Sequence, residues 1–266
     1  MKTWVAVLIA LGASRTAAAD PALPRVMTAP TAWLLPDGAA YGTAGMDHRG
    51  DGSVDVGVGL GGVAELDVGA DTDARECDAP PCAVMGLNHL PQTVWLARAG
   101  FRLGVPQHLL FKGQPALVLG TKKTFGHTRE VGEVYLVASG TVGFLRLHAG
   151  VAAMDARHGL VRMEAKLRPL AGLELTPPQY PKTSLMVDLA WTPQFRPDVP
   201  VDTMTKGGPI PEWALGWGVR YQALSWSSIE VDVRHRGQGS EAEGLGATTV
   251  MLRVNAVWGL STPHPR

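Results

Sequence analysis

Ser225-Trp-Ser-Ser-Ile-Glu-Val-Asp-Val-Arg-His235 is the stretch on which the fold turns. Ile229, Val231 and Val233 alternate with Glu230, Asp232 and Arg234, the period of two of an extended strand with one apolar and one charged face. A soluble sheet meets such a pattern by turning its charges to water. Here the pattern returns in segment after segment, behind an export signal. That combination predicts an all-β chain, an antiparallel transmembrane β-barrel of outer-membrane type, apolar toward lipid and polar toward the lumen.

About twelve extended segments are expected, within a range of roughly ten to fourteen. They run Ala39 to Asp47, Ser53 to Gly59, Val63 to Ala70, Thr93 to Leu103, Gln114 to Lys123, Glu130 to Ala138, Val142 to Met154, Gly159 to Leu170, Thr183 to Thr192, Trp213 to Ala223, Ser225 to His235 and Ala247 to Trp258. Segments of about ten residues suit tilted membrane strands. The connections after odd-numbered segments include the long polar stretches Asp71 to Gln92, Pro193 to Glu212 and His235 to Gly246, while Leu60 to Gly62, Ser139 to Thr141 and Leu224 make short turns. Short periplasmic turns and long outer loops are what an even-stranded outer-membrane barrel has. His48 to Gly52, Gly104 to Gly113 and the Pro-rich Ala171 to Lys182 depart from that rule.

The side chains opposite the apolar face are assigned to the lumen: Asp55, Glu65, Asp67, Arg98, Arg102, Glu133, Arg146, His148, Arg162, Glu164, Lys166, Asp188, Arg220, Glu230, Asp232, Arg234 and Arg253. Their mixed signs favour cross-strand ion pairs over a strongly ion-selective pore. Trp95, Trp191, Trp217, Tyr221 and Trp258 fall on the apolar face, often near a segment end, where interfacial rings sit in the headgroup layer.

The first residues carry Lys2, an apolar run from Trp4 to Leu11 and the small residues Ala17 and Ala19, which predicts a signal peptide over 1–19 cut before Asp20. Residues 20–37, broken by Pro21, Pro24, Pro30 and Pro36, form a leader at the periplasmic rim or in the lumen. Residues 38–258 make the barrel and 259–266 a C-terminal tail. Cys77 and Cys82, separated by a stretch containing two prolines, are expected to close a small disulfide loop, which an exported chain permits. The 24 basic side chains balance the 24 acidic ones, so nothing points to nucleic acid.

No catalytic set, metal site or cofactor motif emerges. The eight histidines lack the close spacing of metal ligands. Gly57-Val-Gly-Leu-Gly-Gly62 has no following helix to cradle phosphate and reads as a hairpin turn. His148 is the one candidate base, and nothing in the sequence places a serine and an acid beside it. The expected role is therefore structural or passive transport, as a narrow pore or an envelope scaffold. A soluble exported β-sandwich binding module is the first alternative, and an outer-membrane lipid-acting enzyme the second.

Met27-Thr-Ala-Pro-Thr-Ala-Trp-Leu-Leu-Pro-Asp-Gly38, followed by a Gly-rich extended segment and Gly59-Leu-Gly-Gly-Val-Ala-Glu-Leu66, resembles the start of bacterial outer-membrane barrels associated with exopolysaccharide biosynthesis. Pro30-Thr31-Ala32 and Pro36-Asp37-Gly38 match the lead-in to the first strands, and Gly59 to Leu66 the turn into the third. The C-terminal Thr262-Pro-His-Pro-Arg266 departs from the usual terminal aromatic, leaving Trp258 as the effective end of the last strand. The resemblance implies an outer-membrane location. The partners that follow from a barrel there are outer-membrane lipid and lipopolysaccharide, the barrel-assembly machinery, and a small polar solute or polysaccharide in the lumen.

Overall fold

The computed structural model describes residues 23–48, 52–71, 75–76, 92–93, 96–126, 129–158, 161–195, 209–238, 241–242 and 248–259. The expected signal peptide, Cys77, Cys82, Trp95 and residues 260–266 lie outside the described residues. Twelve long strands carry the architecture: β1 Ala40–Asp47, β2 Gly52–Leu60, β3 Ala64–Asp71, β4 Leu96–Val105, β5 Ala116–Phe125, β6 Arg129–Val142, β7 Leu145–His158, β8 Val161–Leu175, β9 Thr183–Phe195, β10 Ile210–Leu224, β11 Ser227–Gln238 and β12 Thr248–Trp258. Each pairs antiparallel with the next, and β12 returns to β1 through Ala40↔Trp258 to Asp47↔Met251, so the sheet closes. Closure gives every long strand two neighbours, which is the condition for a sheet to span lipid.

Side-chain polarity is inverted relative to a soluble protein. Leu252 on β12 is 54% exposed on the outer wall, while its neighbour Arg253 is 2% exposed on the inner one. Val231 with Asp232, and Val187 with Asp188, repeat the contrast. A sandwich would bury the first member of each pair and expose the second. The stranded segments read from the sequence coincide with the twelve observed strands, because only one face of each can lie against hydrocarbon. Leu252→Arg is therefore expected to cost about 2–4 kcal/mol, against about 0–1 kcal/mol for Leu109→Arg in the turn between β4 and β5. Urea unfolding in lipid vesicles measures both; equal costs would refute the assigned outer band.

Two local readings of the sequence are corrected. The Pro-rich stretch from Ala171 is not wholly a connection, since Ala171–Leu175 completes β8 and pairs with both neighbours. The register of β8 on β7 then slips between Met163 and Lys166. This bulge inverts the alternation, so Met163 packs inward while Arg162 lies on the outer wall, exposed and paired with Asp155 at 2.6 Å. Arg162 is thus not a lumen residue.

The strand seams are unequal. β7–β8 shares thirteen register pairs and β9–β10 twelve, but β8–β9 shares five, from Ala171↔Leu189 to Leu175↔Leu185. Toward the start of β8, Val161 to Leu170 has register pairs only with β7. The end of β9 instead accepts the two-residue strand Arg75–Glu76, which pairs with Gln194 and Phe195 and with Gln92–Thr93.

Candidate functional site

The lumen is occupied by the chain's own leader. Before β1, residues 24–31 form a hairpin in which Thr31 N donates to Pro24 O and Val26 N to Ala29 O, both at 2.9 Å, with a bridge between Arg25 and Pro30. Its tip, Val26 to Ala29, is buried against the inner wall. The hairpin rises from the end of the barrel where Ala39 leads into β1 to the level of Asp188 in the middle of β9.

Three charged stations hold it. The Asp188 carboxylate accepts from Met27 N, Thr28 N and Ala29 N at 3.1, 2.6 and 2.7 Å, all through Oδ2. Arg102 donates to Thr31 O at 2.5 Å and Trp33 O at 2.8 Å while pairing with Glu65 at 2.9 Å; Glu65 in turn accepts from Leu35 N. Arg220 and Arg234 donate to Val26 O and Met27 O. Backbone groups with no strand partner must be satisfied inside the barrel, and wall charges do it.

Around these stations the other expected lumen residues fall into clusters. Asp55 bridges Arg98 and Arg25, and Arg98 also reaches Asp67 at 3.1 Å. Glu230 joins Arg220 and Arg253, and Asp232 lies between Arg234 and Arg253. Arg146 and Arg220 converge on Glu174 at 3.4 Å each. Glu133 pairs with Lys122 at 3.1 Å. Lys166, beyond the bulge of β8, stands opposite inward-packed Met154 and is solvent-exposed there, and at Glu164 only the backbone is described. Arg25, Lys122 and Glu174 were missed by the sequence reading.

The structure also brings together a set that the sequence did not. Ser139 is not in a turn but inside β6, and its Oγ lies 2.7 Å from His148 Nδ1. His148 Nε2 lies 3.6 Å from Glu174 Oε1. Ala32 N donates to the same Ser139 Oγ at 2.7 Å, so the hydroxyl proton turns to Nδ1 and the imidazole proton to the Glu174 side. Trp33 stacks edge-on against the ring at 6.1 Å. The serine is engaged on both sides and buried under the leader, an arrangement that docks Ala32 against β6 and β7.

The lumen wall is two-sided. Most charges line β10 to β12 and β1 to β4, whereas β5 to β8 present Val118, Val137, Ala152 and Leu170 inward, packed against Ala32 with Trp33 and Leu34. Above the hairpin tip a second apolar group contains Leu96, Val131, Met154, Met163 and Phe195. A cavity of about 30 Å³ opens between this group and Thr28 and Pro30. A second, of about 20 Å³, lies among Asp55, Asp67, Arg98 and Tyr135, sharing Thr28, Pro30 and Lys122 with the first. Each has room for water.

Of the aromatics assigned to the membrane interfaces, Trp217, Tyr221 and Trp258 are exposed on the outer wall. Trp191 does something else: its Nε1 donates to Pro169 O at 2.8 Å across the short β8–β9 seam, with Arg168 stacked 4.8 Å over its ring.

No family model matches the sequence, and no curated protein does. Among solved structures, an outer membrane channel from Pseudomonas putida F1 is similar in fold at 11% identity, covering 85% of this chain and 97% of that chain, with a TM-score of 0.51. The KdgM porin in complex with disordered oligogalacturonate matches at 10% identity over 82% and 98% of the two chains, with a TM-score of 0.49. The chain is an outer-membrane β-barrel. Its closed wall, greasy outside and charged inside, has no other stable solvent arrangement.

Proposed function

We propose that this barrel is a passive-transport channel whose axial path is closed by its own leader hairpin, rather than a scaffold. The observation that supports this reading is the manner of closure. The hairpin tip is held to the wall through hydrogen bonds to charged side chains, and water-sized cavities flank it at Thr28 and Pro30. Polar contacts of this kind exchange with water at modest net cost, and they act beside the apolar packing of Ala32, Trp33 and Leu34 and of Val26 and Met27 on Met186. A small solute suits cavities of about 20 and 30 Å³ better than a polysaccharide chain does.

The test is conductance in planar bilayers, comparing the full chain with one lacking Leu23–Leu34. The full chain is expected to give small or brief openings, and the deletion several-fold larger and longer steps. A flat trace from the deletion, in a barrel whose strand content is intact, would defeat the channel reading in favour of a scaffold.

A further inference from the structure

The short seam between β8 and β9 carries an inference beyond axial transport. In an antiparallel ladder the N–H and C=O of one residue point to the same neighbouring strand. Pro169 O accepts from Trp191 on β9, so its nitrogen also faces β9, and that nitrogen has no hydrogen to offer. Proline placed this way is what an unpaired edge requires. Toward the mouth from Ala171 the ladder to β9 stops, although both strands continue. An open edge facing lipid is tolerated only where it borders a cavity or is covered by protein. Here the cavity is present: Leu170 on β8 and Ala190 on β9 line it, together with Trp191, Met154 and Val131.

The cavity also lies in a place that restricts where a solute can go. Below it stand Thr28 and Pro30 of the leader, and beside it the charged wall. Leu96, Val131, Met154 and Leu170 give part of this cavity an apolar surface, alongside Thr124, Thr192 and the Lys122–Glu133 pair, and apolar surface held against water is unfavourable at about 25 cal/mol per Å². A molecule with an apolar body gains from that surface, and the Lys122–Glu133 pair with Thr124 gives a polar group on it something to meet.

We propose that the β8–β9 seam is a lateral port, with the Trp191 indole as its door, through which small apolar or weakly amphiphilic molecules pass between this cavity and the lipid. The proposal rests on the passive-transport reading in one respect, that solutes reach the cavity from outside. It does not require the leader to move.

The probe is N-phenylnaphthylamine, an apolar dye that fluoresces on reaching lipid, added to intact cells whose lipopolysaccharide leaflet admits it slowly. Cells carrying the barrel are expected to take up the dye several-fold faster than cells without it. Trp191→Ala raises that rate further, and Leu170→Lys, which places a charge in the cavity wall, removes the gain. Leu170→Asn serves as the milder variant should the lysine impair assembly, with heat-modifiable gel mobility reporting the folded barrel. Equal uptake with and without the barrel, or unchanged uptake in a folded Leu170 variant, overturns the port. If bilayer conductance of the leader deletion stays flat while dye uptake persists, the axial channel fails and the port stands; the reverse result sinks the port alone.

Discussion

Asp188→Ala is expected to free the leader tip while leaving the barrel closed. One carboxylate oxygen receives three consecutive backbone N–H groups, from Met27, Thr28 and Ala29, in a site 2% exposed. Hydrogen bonds to a charged group contribute about 1.5–3 kcal/mol each, less when they share one acceptor. Removing the acceptor also strands three buried donors, so the tip should lose about 3–5 kcal/mol. Amide hydrogen exchange at residues 27–29 should then accelerate by about 10²–10⁴-fold. Asp188→Asn keeps a carbonyl acceptor without the charge and should fall between the two. Gly216 lies directly opposite in the ladder, and a Cβ there would collide with the Asp188 carboxylate, so Gly216→Ala should act in the same direction by displacing the acceptor. Unchanged exchange at the tip in Asp188→Ala would show that packing, not the carboxylate, holds the leader.

That dependence of the lumen on glycine explains part of what the sequence left unread. Alternation such as Ile229 to Arg234 was legible because lipid and lumen impose opposite chemistry on successive residues, and a register slip of one would place Glu230 and Asp232 in hydrocarbon. The glycines were read as strand and turn glycines. In the ladder Gly57, Gly69, Gly100, Gly120 and Gly216 stand directly opposite Tyr41, Asp55, Asp67, Tyr135 and Asp188, each making room for that side chain to lie flat along the wall. Such pairing joins residues on different strands and leaves no trace in one segment. Arg162 was misplaced because a bulge changes the phase without changing composition. Glu174 was hidden by the prolines around it, and with it the Ser139–His148–Glu174 chain, whose members come from three strands. The path of the leader was beyond sequence reasoning for a plainer reason: Met27 meets Asp188 across 161 positions, through a backbone group every residue carries.

Arg102→Met should produce the largest loss of global stability among single changes at the leader contacts, and the reason lies in how Arg102 and Glu65 divide the work. The cation satisfies two leader carbonyls, Thr31 O and Trp33 O, and its partner carboxylate satisfies one leader amide, Leu35 N. Both side chains are buried, 2% or less exposed. Removing the guanidinium leaves Glu65 charged and uncompensated in the lumen, which costs about 3–5 kcal/mol. Neutralising both, as Arg102→Met with Glu65→Gln, removes the stranded charge and keeps an acceptor for Leu35 N. What remains lost is two carbonyl bonds, about 1 kcal/mol each. The double variant is therefore expected to be more stable than Arg102→Met alone, with a coupling energy of about 1–3 kcal/mol in a double-mutant cycle. Urea unfolding in vesicles gives the stabilities, and exchange at Leu35 N reports whether the leader stays docked. Additive losses would mean that water reaches Glu65 freely when Arg102 is gone, and that the lower lumen is already wet with the leader in place.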